Sequence, residues 1–152
     1  MSLPPLPGSA IVLDAVASDW RAAVMLAADA LAASGAAKPE YGREMIRMIE
    51  EHGPYVVIAP GLALAHARPG PEVLGDGLSI VTLREPVLFG HPYNDPVRVV
   101  LGLAIKTADE HLAAVAAVAN VFNDSTAISD LAAATSTAEV QRIMGLGAGR
   151  TS

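Results

Sequence analysis

Leu62-Ala63-Leu64-Ala65-His66-Ala67-Arg68-Pro69 is an apolar run that closes on one histidine and one arginine. Leu62, Leu64, His66 and Arg68 alternate with Ala63, Ala65 and Ala67. A period of two therefore makes the stretch a strand and points His66 and Arg68 the same way. Pro60-Gly61 separates it from strand material at 55–59. Pro69-Gly70-Pro71 stops it, because proline has no N–H for a ladder and glycine punctuates turns. The pattern predicts an imidazole and a guanidinium on one surface, at a strand end beside a loop.

Outward from that strand, helical and strand patterns alternate. Residues 10–16 read as a short buried strand. Ser18-Asp19 offers an N-cap for an alanine-rich helix over 20–34, with Val24, Ala27, Ala28 and Leu31 on one stripe and Gly35 as its stop. Pro39 opens a second helix whose Tyr41, Met45, Met48 and Ile49 share a face and which ends at Gly53-Pro54. Further strands are predicted at 78–83, at 87–89 beyond Arg84-Glu85-Pro86, and at 97–105, the last being the best candidate for a central position. Thr107 with Glu110 forms a capping box for a helix to about Phe122, with His111, Val115, Val118 and Phe122 inward. A short helix follows to Ala134, and Ser136 with Glu139 repeats the box before a last helix ending near Gly145. The expected fold is α/β: a single domain over 10–145 with a central mixed sheet flanked by helices on both faces, a flexible leader at 1–9 and a frayed tail at 146–152.

Composition narrows the function. The chain has 152 residues, 52% of them hydrophobic, enough for one core. Sixteen acidic against ten basic residues give a net charge of −6 with no basic cluster, so nucleic acid is not an expected partner. There is no cysteine, which excludes disulfides, thiolate nucleophiles and cysteine-based metal sites. No apolar run approaches the length of a membrane span and no signal peptide is visible, which reads as a cytoplasmic protein. G-x-S-x-G, G-x-G-x-x-G and Walker A motifs are all missing, and no HxH or HxxxH pair suggests zinc.

Histidine is left as the principal nucleophile candidate. His66 stands at the strand end. His111 falls in the first turn of a capped helix, on its inward stripe, where it would meet His66 or simply bond a neighbouring loop. His52 follows two glutamates at a helix end and reads as a surface cation, and His91 reads as a turn residue.

The run from Gly53 to Pro69 resembles the active-site segment of the enzyme IIA domains of the bacterial phosphoenolpyruvate-dependent sugar phosphotransferase system, mannitol/fructose type, and most of all the ascorbate branch. The likeness continues upstream through Pro39-Glu40-Tyr41 and Met45-Ile46. Downstream it continues through Phe89-Gly90-His91, Asn94-Asp95-Pro96-Val97 and Glu110-His111-Leu112, in matching order and spacing. The resemblance implies a histidine that takes a phosphoryl group from the phosphocarrier HPr and passes it to a IIB protein, meeting the membrane component IIC only indirectly and using no cofactor or metal. It places that histidine at His66 and the supporting one at His111, with Arg68, Leu62 and Leu64 as phosphate or partner contacts. A homodimer is left open, as is a regulatory module whose phosphohistidine controls binding to a regulator. Two departures stand out. Ala65 replaces a frequent proline, and Met48, beside Arg47, occupies the place of the arginine that assists the phosphate in the mannitol branch.

Overall fold

The protein is described from a computed structural model covering residues 3–146. Its five-stranded sheet has the order β1-β4-β5-β3-β2, built from β1 (Ile11–Ala15), β2 (Val57–Ala59), β3 (Leu62–His66), β4 (Gly77–Val87) and β5 (Val97–Ala104). β1 runs parallel to β4 and β3 parallel to β5, while β4/β5 and β2/β3 are antiparallel. The sheet is mixed and the chain forms a single domain, as the order of elements predicts. β5 is central and carries β3 in register from Leu62↔Val99 to His66↔Leu103.

The alternation in β3 separates two unlike layers. Ala63 and Ala65 face α1 (Trp20–Ala33) and α2 (Tyr41–His52), in a layer with Ala27, Ala28, Leu31 and Met45. Small residues let α1 lie close on the sheet: a Cβ added at Gly102 would come within 2.4 Å of Ser79 Oγ and 3.1 Å of the Ala27 carbonyl oxygen. Ser79 Oγ also donates to that oxygen at 2.8 Å. Leu62 and Leu64 face the other way, with Leu101, Leu103 and Ile80 under α3 (Ala108–Val121), α4 (Ala127–Ala133) and α5 (Thr137–Ile143). Each such buried leucine contributes roughly 1.5–3 kcal/mol.

The caps form where the sequence places them. Asp19 accepts from the Ala22 N–H at 2.9 Å, Thr107 from Glu110 N–H at 3.3 Å and Ser136 from Glu139 N–H at 3.2 Å, each satisfying a donor that the first helical turn leaves open.

Three expectations about the chain change. β2 starts at Val57, because Tyr55 and Val56 are taken up in the turn after α2. β4 does not break at Arg84-Glu85-Pro86 but runs on to Val87, which pairs with Val97 across a register irregularity. The irregularity relieves the ladder where Pro86 has no N–H to offer. The segment expected as a leader is packed from Leu3 onward: Leu6 is buried, and the Pro5 and Leu6 carbonyls accept from Leu78 N–H at 3.0 Å and the Gln141 amide at 2.9 Å. Of the expected tail, Leu146 packs against the α3–α5 layer, and 147–152 lie outside the described residues.

Candidate functional site

His66 is the last residue of β3 and is half-buried. On the β2 side, Leu64 N–H donates to the Val56 carbonyl at 2.8 Å, and the Leu64 carbonyl lies 2.8 Å from His66 Nδ1. A carbonyl only accepts, so Nδ1 carries the proton. In the neutral ring the lone pair is then on Nε2. Burial pushes the pKa of His66 below the ordinary imidazole value; the Leu64 carbonyl opposes this and the charge of His111 adds to it.

Of the two places the sequence left open for His111, the structure shows the one beside His66. His111, whose N–H donates to Thr107 in the first turn of α3 at 3.0 Å, brings its ring centroid to 5.2 Å from that of His66, at 47° between planes. Its Nε2 is buried without a hydrogen-bond partner. Burial lowers the pKa of this ring as well, so at neutral pH the pair is two uncharged imidazoles.

Tyr55, which sequence reasoning did not single out, closes the other side. Its ring meets His66 edge-on at 5.7 Å and 88°, and His52 in turn at 6.4 Å. Burial pushes the Tyr55 phenol up while the charge of the Arg68 guanidinium works against it. The exposed aromatic two residues after Gly53 was the available signal.

Arg68 and Arg47 both line a cleft of about 350 Å³ beside α2, with His52, Met48, Glu44, Glu51 and Glu72 on its wall; neither His66 nor His111 lines it. Arg47 is tied to Glu44 at 2.8 Å and to Glu51. Among the described residues no carboxylate forms an ion pair with Arg68 within 4 Å, and Glu44, Glu51 and Glu72 line the same cleft. Leu62 and Leu64 are corrected. Both are fully buried under α3–α5, because β3 is an inner strand with helices on each face, and neither reaches a partner. The exposed apolar side chains next to the histidines are Tyr55, 40% exposed, and Leu112, 74% exposed. His91 lies apart, in the loop before β5, where its Nδ1 accepts from Tyr93 and Asn94 N–H at 3.1 and 3.0 Å.

This arrangement presents one unprotonated ring nitrogen beside a second imidazole, with the Arg68 guanidinium in the cleft that Ala67 also lines. The family model for the EIIA 2 type of the phosphoenolpyruvate-dependent sugar phosphotransferase system matches residues 5–145. The ascorbate-specific EIIA component of Escherichia coli K12 is 39% identical over 115 residues, 75% of each chain. That of Salmonella typhimurium LT2 is 37% identical over 133 residues, 87% of this chain and 86% of the relative. Among solved structures, a IIA protein of the same system from Streptococcus mutans superposes with TM-score 0.82 at 34% identity, covering 91% of this chain and 88% of that one. The mannitol IIA of Escherichia coli, solved in complex with phosphorylated mannitol IIB, also gives 0.82, at 26% identity and covering 93% and 97%.

Proposed function

Because the chain belongs to the EIIA 2 family of the phosphoenolpyruvate-dependent sugar phosphotransferase system, we propose that Nε2 of His66 is the atom that takes up and hands on the phosphoryl group. The protein is a phosphoryl-relay component of a sugar phosphotransferase system. The observation that carries the atomic reading is the Leu64 carbonyl on Nδ1, which leaves Nε2 as the nucleophile.

The donor is the phosphohistidine of HPr. As the Nε2 lone pair enters, the donor N–P bond breaks and the new N–P bond forms. The transition state is loose, with its charge on three equatorial oxygens, so alignment and charge stabilisation supply the catalysis. The Leu64 carbonyl keeps the Nδ1 proton throughout and offsets the positive charge growing on the ring. His111 Nε2, buried and otherwise unpartnered, donates to one equatorial oxygen when it bears its proton. Arg68 supplies the cation, with Arg47 already held by Glu44 and Glu51. The phosphoramidate retains enough transfer potential for the next step, in which a IIB protein of an ascorbate-type system accepts the group on a cysteine.

Among the described residues no helix is long and apolar enough to cross a membrane. In this reading a relay between HPr and IIB works in the cytoplasm and meets IIC only through IIB. The test is to charge the protein with labelled phosphoenolpyruvate, enzyme I and HPr, then add candidate IIB proteins. Label should leave this chain and appear on a IIB cysteine within the mixing experiment. Label that stays put with every IIB while changing the binding of a regulator contradicts the transport role. With a net charge of −6, charging at low HPr should slow as salt rises, and charging at saturating HPr should change less.

A further inference from the structure

The imidazole of His66 is tethered to a carbonyl in its own strand, two residues back, so its aim depends on the backbone at 65–67. At that point β3 is losing its neighbours. β2 begins only at Val57, opposite Ala63, and the pairing with β5 ends at His66↔Leu103. In a parallel ladder of this register that last pair is closed by Ala67 N–H facing Leu103 C=O. Tyr41 Oη bridges them. It accepts from Ala67 N–H at 3.0 Å and reaches the Leu103 oxygen at 2.8 Å, with the Ala67 oxygen at 3.1 Å. Its single proton belongs on the shorter contact, to Leu103. Among the described residues, every side-chain hydrogen bond to the backbone of 65–69 comes from this phenol.

Tyr41 reaches the spot from the opposite face of the sheet, as the first residue of α2, and is fully buried. Its neighbour Gly42 lets α2 approach α1 closely: a Cβ there would lie 2.9 Å from the Ala28 Cβ. Burial pushes the phenol up to about 12, so it stays a neutral donor and acceptor throughout the working range.

We propose that Tyr41 is a positioning residue for phosphoryl transfer: by bridging Ala67 and Leu103 its hydroxyl fixes the end of β3, and so keeps His66 Nδ1 on the Leu64 carbonyl and Nε2 aimed at the incoming phosphorus. The inference rests on His66 being the phosphoryl acceptor. It differs from the roles of His111 and Arg68 in that Tyr41 acts only through the backbone.

Tyr41→Phe keeps the ring and removes the bridge. At saturating phospho-HPr its charging rate should fall about 10- to 100-fold, the scale of a small misplacement of a reacting group, while the HPr concentration for half-saturation stays within about twofold because the docking surface is untouched. The ¹⁵N spectrum of His66 should change from a single Nδ1-protonated form to an average of two tautomers. Ser79→Ala, which removes another buried hydroxyl-to-carbonyl bond on the same face, controls for lost stability and should leave rate and tautomer alone. Should Tyr41→Phe not fold, 3,5-difluorotyrosine at position 41 weakens the acceptor without removing it and should shift the His66 Nδ1–H resonance and slow charging. Wild-type rate and tautomer in whichever variant folds would overturn the proposal, as would an equal slowing in Ser79→Ala. Failure of the unsubstituted protein to label on His66 would instead fell the underlying reading, and this inference with it.

Discussion

His66 and His91 both stand beside loops, and their backbones assign them opposite tautomers. His66 Nδ1 faces a carbonyl and must be protonated, which exposes the lone pair of Nε2 next to His111. His91 Nδ1 faces two N–H groups, so its lone pair is consumed within the loop and Nε2 bears the proton. Asp95 works alongside, accepting from Phe89, Gly90 and His91 N–H. The loop before β5 thus uses side chains where a sheet would use carbonyls. Which ring nitrogen of an imidazole in this protein keeps a free lone pair follows from which backbone group meets Nδ1.

The contrast fails first at His66. His66→Ala should fold and take up no acid-labile, base-stable label from phospho-HPr; undiminished labelling would remove the distinction. His111→Ala should slow charging by about 10²-fold, near 3 kcal/mol, the scale of losing one donor that acts on transition-state charge. An unchanged rate would make His111 a packing residue. Arg68→Gln should slow charging about tenfold and Arg47→Gln less than about twofold, since the latter cation is already paired; the reverse order would return the phosphate's cation to α2. At the small end, His91→Ala should leave charging unchanged while lowering stability by about 1 kcal/mol, because two N–H groups of a half-exposed loop exchange their acceptor for water.

A pH series sharpens the same comparison. Burial holds the folded pKa of His66 below the ordinary imidazole value of 6.5, so between those two values the unfolded chain binds a proton that the folded one does not. Stability should therefore fall as pH drops below about 6.5 and level off once the folded ring also titrates. His66→Gln should remove part of that dependence, the remainder coming from His111, whose pKa burial also lowers. The charging rate, which needs the neutral ring, should fall with a midpoint below the ordinary imidazole value, and a fall centred at that value would argue against a buried nucleophile.

What was legible in the sequence is what short-range chemistry decides. The β3 alternation, the Asp19, Thr107 and Ser136 caps and the central place of β5 all formed where the residues put them, because period and side-chain caps act within a few positions. The meeting of His66 with His111 was also readable, from a strand end and a helix first turn. Leu62 and Leu64 were not. Alternation gives the face a side chain occupies and says nothing about whether helices cover that face. Pro86 suggested a break, and only the register irregularity against β5 shows how the strand carries it. Tyr41 looked like one more apolar residue on α2, and its bonds to Ala67 and Leu103 span 26 and 62 positions. Contacts of that range depend on topology, which local pattern does not encode.

The central claim is that phosphorus bonds to Nε2 of His66 while Nδ1 keeps its proton on the Leu64 carbonyl. Correlating ³¹P with ¹⁵N in the charged, ¹⁵N-histidine-labelled protein reads the bonded nitrogen directly. A single phosphorus coupled to Nε2 of His66, with the Nδ1–H resonance retained, is the predicted result; coupling to Nδ1, or to either nitrogen of His111, would contradict it.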